Sequence, residues 1–329
     1  MKAIWYDRQG PAGEVLQFGE LPTPQPGPGE VRVRLHASAV NPADANRRGG
    51  RMHGMEFPRI VPNSDGAGVV DAVGSGVDAG MLGSRVWLYF GQRGRAYGTA
   101  AQYICLPYEL TAPLPEHMDF TQGACLGIPG MTAYCSLFLR GPIEGKTVLV
   151  TGGAGAVGHY AVQLAKWGGA RVLATVSSPR KAAHAKRAGA DEVIDYTAPD
   201  AAVSILSATG GRGVDHIVDV DAGCNLRLCL QVAANHANWV SYAIGPDPDA
   251  AFPLAGLIRK NLSLHGLYLS GLPFEVRRVA QQGIARWLDE VPQAIHTVDR
   301  VFELRDTATA HLVVEERGKL GTVVVTCDS

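Results

Sequence analysis

The chain has 329 residues, 46% of them hydrophobic, with 30 Lys and Arg against 31 Asp and Glu. That length can build two cores, and a net charge of −1 points away from nucleic acid and anionic membranes as partners. No apolar run reaches ~18 residues, "MKAIWYDRQG" is not a secretory signal, and the six cysteines lack a Cys-x-x-Cys pair, so no membrane association and a reducing, cytoplasmic setting are expected.

The first ~120 residues are β-rich and broken by glycine and proline. "MKAIWY" and "VRVRLHASAV" (Val31–Val40) alternate like half-exposed strands, joined by the proline-rich connector Leu21–Glu30. Gly66–Val77 reads as strand, turn, strand, and "SRVWLYF" follows from Ser84. The loop Phe90–Tyr103 carries Arg93 and Arg95, which fit either a solvated hairpin or a cleft border.

From about Thr121 strands alternate with helices. The apolar β-branched run Thr147–Thr151 fits a strand buried on both faces of a parallel sheet. Gly153, Gly155 and Gly158 follow with G-x-G-x-x-G spacing, before a helical pattern through Val157, Ala161, Leu164 and Ala165 that stops at Gly168-Gly169. Strand, glycine turn, helix and second strand (Ala170–Val176) in that order read as a dinucleotide site. Gly153 is expected to permit the tight turn, Gly155 to admit a pyrophosphate, and Gly158 to let the helix pack; the helix N-terminus offers free N–H groups to the phosphates.

The second strand ends "ATVSSPRK". NAD-binding units place an Asp or Glu at about this point to bond the ribose 2′-OH. Here Ser177 and Ser178 are neutral, and Arg180 and Lys181 are cationic, a set that attracts a 2′-phosphate. Ser178 and Pro179 also read as the cap and first residue of the next helix. NADPH is therefore the expected cofactor.

Further on come a helix from about Pro179 to Ala188, "EVIDY", a helix near Ala201–Ala208, and the strand Val214–Val220. A helix near Asn225–Ala234 and strands at Trp239–Gly245 and Leu262–Leu269 complete a doubly wound parallel sheet with right-handed crossovers. The tail supplies helices at about Pro273–Glu290 and Asp306–Arg317, the run "VFEL", and a closing strand "GTVVVT". The expected domains are 1–120, completed by about 270–329, and 121–269.

"AVNPADANRRG" (Ala39–Gly49), "VPNSDGAGVVDAVGSGV" (Val61–Val77), "GIPGMTAY" (Gly127–Tyr134), the glycine fingerprint, "AGADEVIDY" (Ala188–Tyr196) and "ERGKLGTVVV" (Glu316–Val325) together resemble the medium-chain dehydrogenase/reductase superfamily. They are most similar to its zinc-independent, ζ-crystallin-like quinone oxidoreductases. The resemblance spans nearly the whole chain. It implies an α/β fold, a GroES-like β-rich domain plus a Rossmann doubly wound parallel-sheet domain, with the active site in a cleft.

By that resemblance Asn41 and Thr132 stand near the nicotinamide and its ribose, and Gly155, Ala156 and Val157 at the pyrophosphate. Ser177, Lys181, Tyr196 and Arg317 surround the 2′-phosphate, and Val220, Ile244, Gly245, Leu267 and Tyr268 face the cofactor from strand ends. Zinc-dependent relatives place Cys where this chain has Asn41, and Gly-His-Glu where it has Asn63-Ser64-Asp65. Asn41 and Ser64 are not usual zinc ligands, and His36 and His53 are isolated, so no metal site is expected. Many relatives carry Tyr where this chain has Asn46, and Gly where it has Asn63. Asn46 and Ser64 are the expected substrate residues, and Asn41 the expected polar group orienting the acceptor carbonyl or the ribose.

The expected activity is an NADPH-dependent, zinc-independent reductase passing hydride to a quinone or an α,β-unsaturated carbonyl. An NADPH sensor with little turnover and an enoyl-thioester reductase are the alternatives, the latter weakened by Asn46; stoichiometric zinc would indicate an alcohol dehydrogenase. A homodimer is implied, with Asn261–Leu269 as an edge strand joining two sheets.

Overall fold

The computed structural model describes residues 1–245, 251–316 and 318–328. The chain divides into two units, Met1–Ile128 with His296–Ser329, and Pro129–Ile295.

In the first unit β1 (Lys2–Trp5) pairs antiparallel with β2 (Gln17–Glu20) after the short helix α1 (Ala12–Val15). The eleven-residue β3 (Glu30–Val40) leads into α2 (Pro42–Arg48), then β4 (Asp65–Val73), β5 (Arg85–Leu88), β6 (Tyr103–Pro107), β7 (Thr111–Pro113) and α3 (Phe120–Ala124). β3 is the hub of this sheet: it pairs antiparallel with both β4 and β6, and its pairing with β4 is broken by two register shifts. The Gly66–Val77 segment forms one strand, not two. The chain leaves β4 through Gly74, where a Cβ would lie 1.8 Å from the Gly27 carbonyl oxygen, and turns at Gly76 with φ +83°.

α4 (Gly127–Phe138) spans the division between units. In the second unit follow β8 (Thr147–Val150), α5 (Ala156–Trp167), β9 (Arg171–Val176), α6 (Pro179–Arg187), β10 (Glu192–Asp195), α7 (Ala201–Ala208), β11 (Val214–Asp219), α8 (Ala222–Val232), β12 (Ala233–Ser241), α9 (Leu254–Lys260), β13 (Ser263–Gly266) and α10 (Phe274–Glu290). The strands form one parallel sheet in the order β10-β9-β8-β11-β12-β13. That order reverses direction between β8 and β11, which makes their carboxyl ends the topological switch point of the sheet. All four residues of β8 are buried, as a strand covered by helices on both faces requires.

The starts of α8 and β12 differ from expectation for local reasons, and β13 is shorter than the expected Leu262–Leu269. Asp221 caps α8, its carboxylate accepting from the Cys224 N–H at 3.2 Å, so the helix starts earlier than its apolar pattern. β12 begins at Ala233, opposite Val214, and ends at Ser241, before the run Tyr242–Gly245.

The chain then returns to the first unit through β14 (Val298–Glu303), α11 (Thr307–Glu315) and β15 (Thr322–Thr326). β15 pairs antiparallel with β3 and parallel with β14. The return point is His296, not about residue 270: α10 belongs to the second unit. Its Gly283 lies so close to Tyr134 of α4 that a Cβ would meet the ring at 2.2 Å, and its Trp287 ring stands edge-on to Tyr160 of α5 at 6.0 Å. The first core gathers Val33, Leu35, Ile104, Leu106, Val323 and Val325, the second Leu149, Leu173, Ile217 and Trp239. Among the described residues no helix is long and apolar enough to cross a membrane.

Burial depresses the imidazole of His216 to about 4, of His296 to about 4, and of His311 to about 3. His216 Nε2 lies 2.8 Å from the Ser136 carbonyl, which only accepts, so Nε2 carries the hydrogen. Between pH 6.5 and 4 the unfolded chain gains protons that these buried rings refuse, so stability falls as the solution is acidified. Chemical denaturation from pH 7 to 4 should show that loss, on the order of 3 kcal/mol for His216. His216→Gln, which keeps a donor for Ser136, should flatten the slope.

Candidate active site

The glycine turn is held from below by one buried carboxylate. Thr151 Oγ1 at the end of β8 donates to Asp219 Oδ1 at 2.6 Å and accepts from the Val220 N–H at 2.9 Å. Asp219 Oδ1 also accepts from Asn225 Nδ2 at 2.7 Å and the Asp221 N–H at 3.2 Å, and Oδ2 accepts from Trp239 Nε1 at 2.9 Å. β8, β11, β12 and α8 are thereby locked at the switch point. Neither Asp219 nor Thr151 was singled out by the motif; the signal available was the alternating "VDVD" that ends β11.

The tight turn is made by Gly152, not Gly153. Gly152 has φ +64°, in the left-handed region that glycine enters without strain. Gly153 instead permits close packing, since a Cβ there would meet Ala174 Cβ at 2.8 Å. At Gly158 a Cβ would lie 2.3 Å from the Gly152 carbonyl oxygen, so helix α5 rides directly on the turn. Gly155 is different: the nearest atom to a Cβ would be 3.4 Å away. No protein atom demands glycine at 155. Gly155 caps α5, and the first-turn N–H groups of Ala156, Val157 and Gly158 have no acceptor within the helix.

Ser177, Ser178, Lys181 and Tyr196 are brought together beside the end of β9. Lys181 Nζ donates to Ser177 Oγ at 3.0 Å, and Ser178 caps α6 by accepting from the Lys181 N–H at 3.4 Å. The Tyr196 N–H donates to the Val176 carbonyl at 3.0 Å, which holds the backbone of this half-exposed tyrosine at the end of β9. The neighbouring acid, Asp195, is turned into its own loop, where bonds from the Thr197 hydroxyl and N–H lower its pKa. Arg180 lies on the exposed side of α6. Arg317 lies outside the described residues.

The expected strand-end residues fall along the carboxyl edge of this sheet. Val220 sits against Gly152, and the Leu267 N–H donates to the Ser241 carbonyl at 2.7 Å. Ile244 and Tyr268 are 84% and 65% exposed, ample for a ligand-facing role. Gly245 has no room for a side chain, since a Cβ would lie 1.9 Å from Asp221 Oδ2. Thr132 is buried on α4 rather than on the strand ends.

Asn41, Ser64 and Asn46 lie in the first unit. Asn41 precedes α2, and its N–H donates to Asp44 Oδ2 at 2.9 Å, a reciprocal cap that the Asn41-x-x-Asp44 spacing encodes. The β3–β4 register sets Asp65 opposite Ala39, two residues before Asn41. Asn41 Nδ2 donates to Asp65 Oδ2 at 2.7 Å, and the Ile128 N–H, in the first turn of α4, donates to the same oxygen at 2.8 Å. Ser64 Oγ donates to Asp44 Oδ1 at 2.7 Å. Burial raises the pKa of both acids, and Asp44 adds to the rise at Asp65. Asn46 is half-buried, with Oδ1 accepting from Arg51 at 3.2 Å.

Asn63 has φ +71°, a conformation that glycine adopts freely and that asparagine tolerates better than other side chains. Its amide turns this into an anchor. His311 Nε2 donates to Asn63 Oδ1 at 2.9 Å, Asn63 Nδ2 donates to Ser38 Oγ at 3.0 Å, and the relay ends with Thr99 Oγ1 donating to the Asp65 carbonyl at 2.8 Å. In the Phe90–Tyr103 loop Arg95 is spent on the carbonyls of Phe90 and Gly91, which leaves Arg93 as its exposed cation. His36 stacks on Phe120 and pairs with Asp328, while His53 is exposed. Among the described residues no group of three or more His, Cys, Asp or Glu is arranged to hold a metal ion.

Comparison with known proteins matches residues 27–116 to the alcohol dehydrogenase GroES-like domain and residues 156–287 to the zinc-binding dehydrogenase family. The quinone oxidoreductase of Rattus norvegicus is 30% identical, over 95% of this chain and 94% of its own. The 2-haloacrylate reductase of a Burkholderia species is 31% identical, over 99% and 98%. A solved structure described as an NAD-dependent alcohol dehydrogenase superposes with a TM-score of 0.89 at 30% identity, covering 99% of each chain. A mycobacterial protein complexed with NADPH superposes with a TM-score of 0.86 at 30% identity, again covering 99% of each chain. A GroES-like unit and a parallel dinucleotide-type sheet in one chain, with relatives of this identity along almost its whole length, make this chain a member of the medium-chain dehydrogenase/reductase family, among its quinone oxidoreductases.

Proposed function

We propose that the protein is an NADPH-dependent reductase that passes hydride to a quinone or to the β-carbon of an α,β-unsaturated carbonyl. One observation carries the choice of cofactor. Beside β9, where a carboxylate would bond an unphosphorylated ribose, Lys181 Nζ and Ser177 Oγ stand 3.0 Å apart and the nearby Asp195 is engaged elsewhere. The spare room at Gly155 and the free first-turn N–H groups of α5 suit the pyrophosphate of such a dinucleotide.

Bound NADPH supplies the hydride. Gly155, Ala156, Val157 and Gly158 would hold the pyrophosphate, and Ser177, Ser178, Arg180, Lys181, Tyr196 and Arg317 the 2′-phosphate. Val220, Ile244, Gly245, Leu267 and Tyr268 would line the nicotinamide half, with Thr132 and Asn41 at its ribose. Ser64 and Asn46 would border the acceptor. Resemblance to a 2-haloacrylate reductase favours including activated alkenes among the acceptors. A cytoplasmic setting suits a chain whose six cysteines are all unpaired. The edge of β13, which among the described residues pairs with β12 alone, supports a homodimer joined there; sizing chromatography should give twice the mass of the chain, and a single-chain mass would remove the dimer.

Fluorescence titration should give tighter binding of NADPH than of NADH. Lys181→Ala should weaken NADPH by about 10- to 100-fold, the loss of one charge-assisted contact, and leave NADH unchanged. Tighter binding of NADH by the parent protein would overturn the cofactor assignment, a live outcome given the NAD-dependent structural neighbour. NADPH should be consumed with 1,4-benzoquinone or with simple enones; no consumption across a broad panel of both would overturn the activity.

A further inference from the structure

We propose that Asp65 is held as a neutral carboxylic acid beside an ionised Asp44, and that this pair is the positioning device that fixes the amide of Asn41. The catalytic part of this inference rests on reading Asn41 as a residue at the reacting groups; the protonation itself does not.

The argument is a count of donors. Both acids are fully buried and both accept from Asn41, Asp44 from its N–H and Asp65 from its side-chain amide. Three of their four oxygens are accounted for: Asp44 Oδ1 by the Ser64 hydroxyl, Asp44 Oδ2 by the Asn41 N–H, and Asp65 Oδ2 by Asn41 Nδ2 and the Ile128 N–H. Asp65 Oδ1 is buried with no partner among the described residues. It is shut in by Gly127, where a Cβ would lie 2.4 Å from it. An anionic oxygen in that position loses its hydration without a donor to replace it, a cost that the weak pull of the nearby first turn of α4 does not offset. A hydroxyl there costs far less, and it leaves Oδ2 as a carbonyl oxygen able to accept both observed bonds.

The surrounding charges agree. Burial and the negative charge of Asp44 on α2 both raise the Asp65 pKa, against the lowering bonds from Asn41 and Ile128, and the adjacent Cys125 thiol, pushed up to about 12 by its own burial, brings no charge to the site. Arg47, also on α2, favours the charged form of Asp44 and opposes the rise that burial causes there, whereas among the described residues no cation acts on Asp65. With Oδ2 as the carbonyl oxygen, accepting from the Ile128 N–H, it is the amide nitrogen of Asn41 and not its oxygen that faces Asp65. Ionising Asp65 would place two buried charges beside one amide, which the site can relieve only by opening.

Infrared difference spectra of the whole protein at neutral pH, parent minus Asp65→Asn, should show the carbonyl stretch of a protonated carboxylic acid, and parent minus Asp44→Asn should lack it. A band lost in Asp44→Asn but kept in Asp65→Asn, or no band in either, overturns the proposal. If Asp65→Asn does not fold, the Asp44→Asn spectrum decides alone: persistence of the band in that variant supports the assignment and its loss refutes it. This readout needs neither cofactor nor acceptor, so its failure is separable from failure of the proposed activity. Stability adds a second readout. A raised carboxyl costs the fold stability as pH rises above the unfolded value of about 4, so Asp65→Asn should gain on the parent between pH 4 and 7. With an active acceptor in hand, Asp65→Ala should lower kcat by about tenfold or more, with Asp65→Asn recovering most of it and lacking the parent's alkaline decline. An alkaline decline that persists unchanged in Asp65→Asn would remove Asp65 from the positioning role.

Discussion

Four donors converge on the carboxylate of Asp219, and the nucleotide half of this protein is arranged around them. Thr151, Asn225, Trp239 and the Asp221 N–H come from the ends of β8 and β12 and from the start of α8. Trp239 is the single donor to Oδ2, and removing it leaves that buried acceptor without a partner among the described residues, which costs more than the bond contributes. The bond network determines where Val220 and the glycine turn stand, and the turn determines where the first N–H groups of α5 point. A cofactor site on this sheet is therefore only as ordered as that carboxylate.

Asp65 makes an instructive contrast. It is equally buried, but it receives two donors on one oxygen and none on the other. Buried carboxyl groups divide by exactly such counts: a full set of donors accommodates a charge, and a deficient one favours the proton. The two acids thus do different work, Asp219 as an anchor for backbone and Asp65 as an acceptor that orients Asn41. The polar residues around Asp65 belong to the same network. Asn41 and Ser64 each bond a buried acid, and Asn63 uses a backbone conformation suited to glycine to reach both His311 and Ser38.

The order of strands and helices in the second unit was legible because its signals are local. A buried parallel strand is a continuous β-branched run, a glycine turn is a spacing, and the polarity past β9 is a matter of which residues occur there. Ser177, Ser178, Lys181 and Tyr196 could be named from the chain alone, and the structure gathers them. Less local features escaped. The Gly66–Val77 segment has strand composition on both sides of its turn, but contact with Gly27 ends the strand after the first. α9 and the short helices of the first unit carry too few residues for their period to stand out.

Sequence by itself determined the fold class, the family and the chemical character of the dinucleotide site, because each depends on residue type and on spacing within a few turns of chain. Only the tertiary structure decided which glycine makes the turn, which unit owns α10, and how Asp44 and Asp65 share Asn41. Those outcomes depend on a steric approach or a hydrogen-bond partner 20 to 150 residues away, such as Gly283 on Tyr134 or Asn41 on Asp65, and no window along the chain contains both members of such a pair.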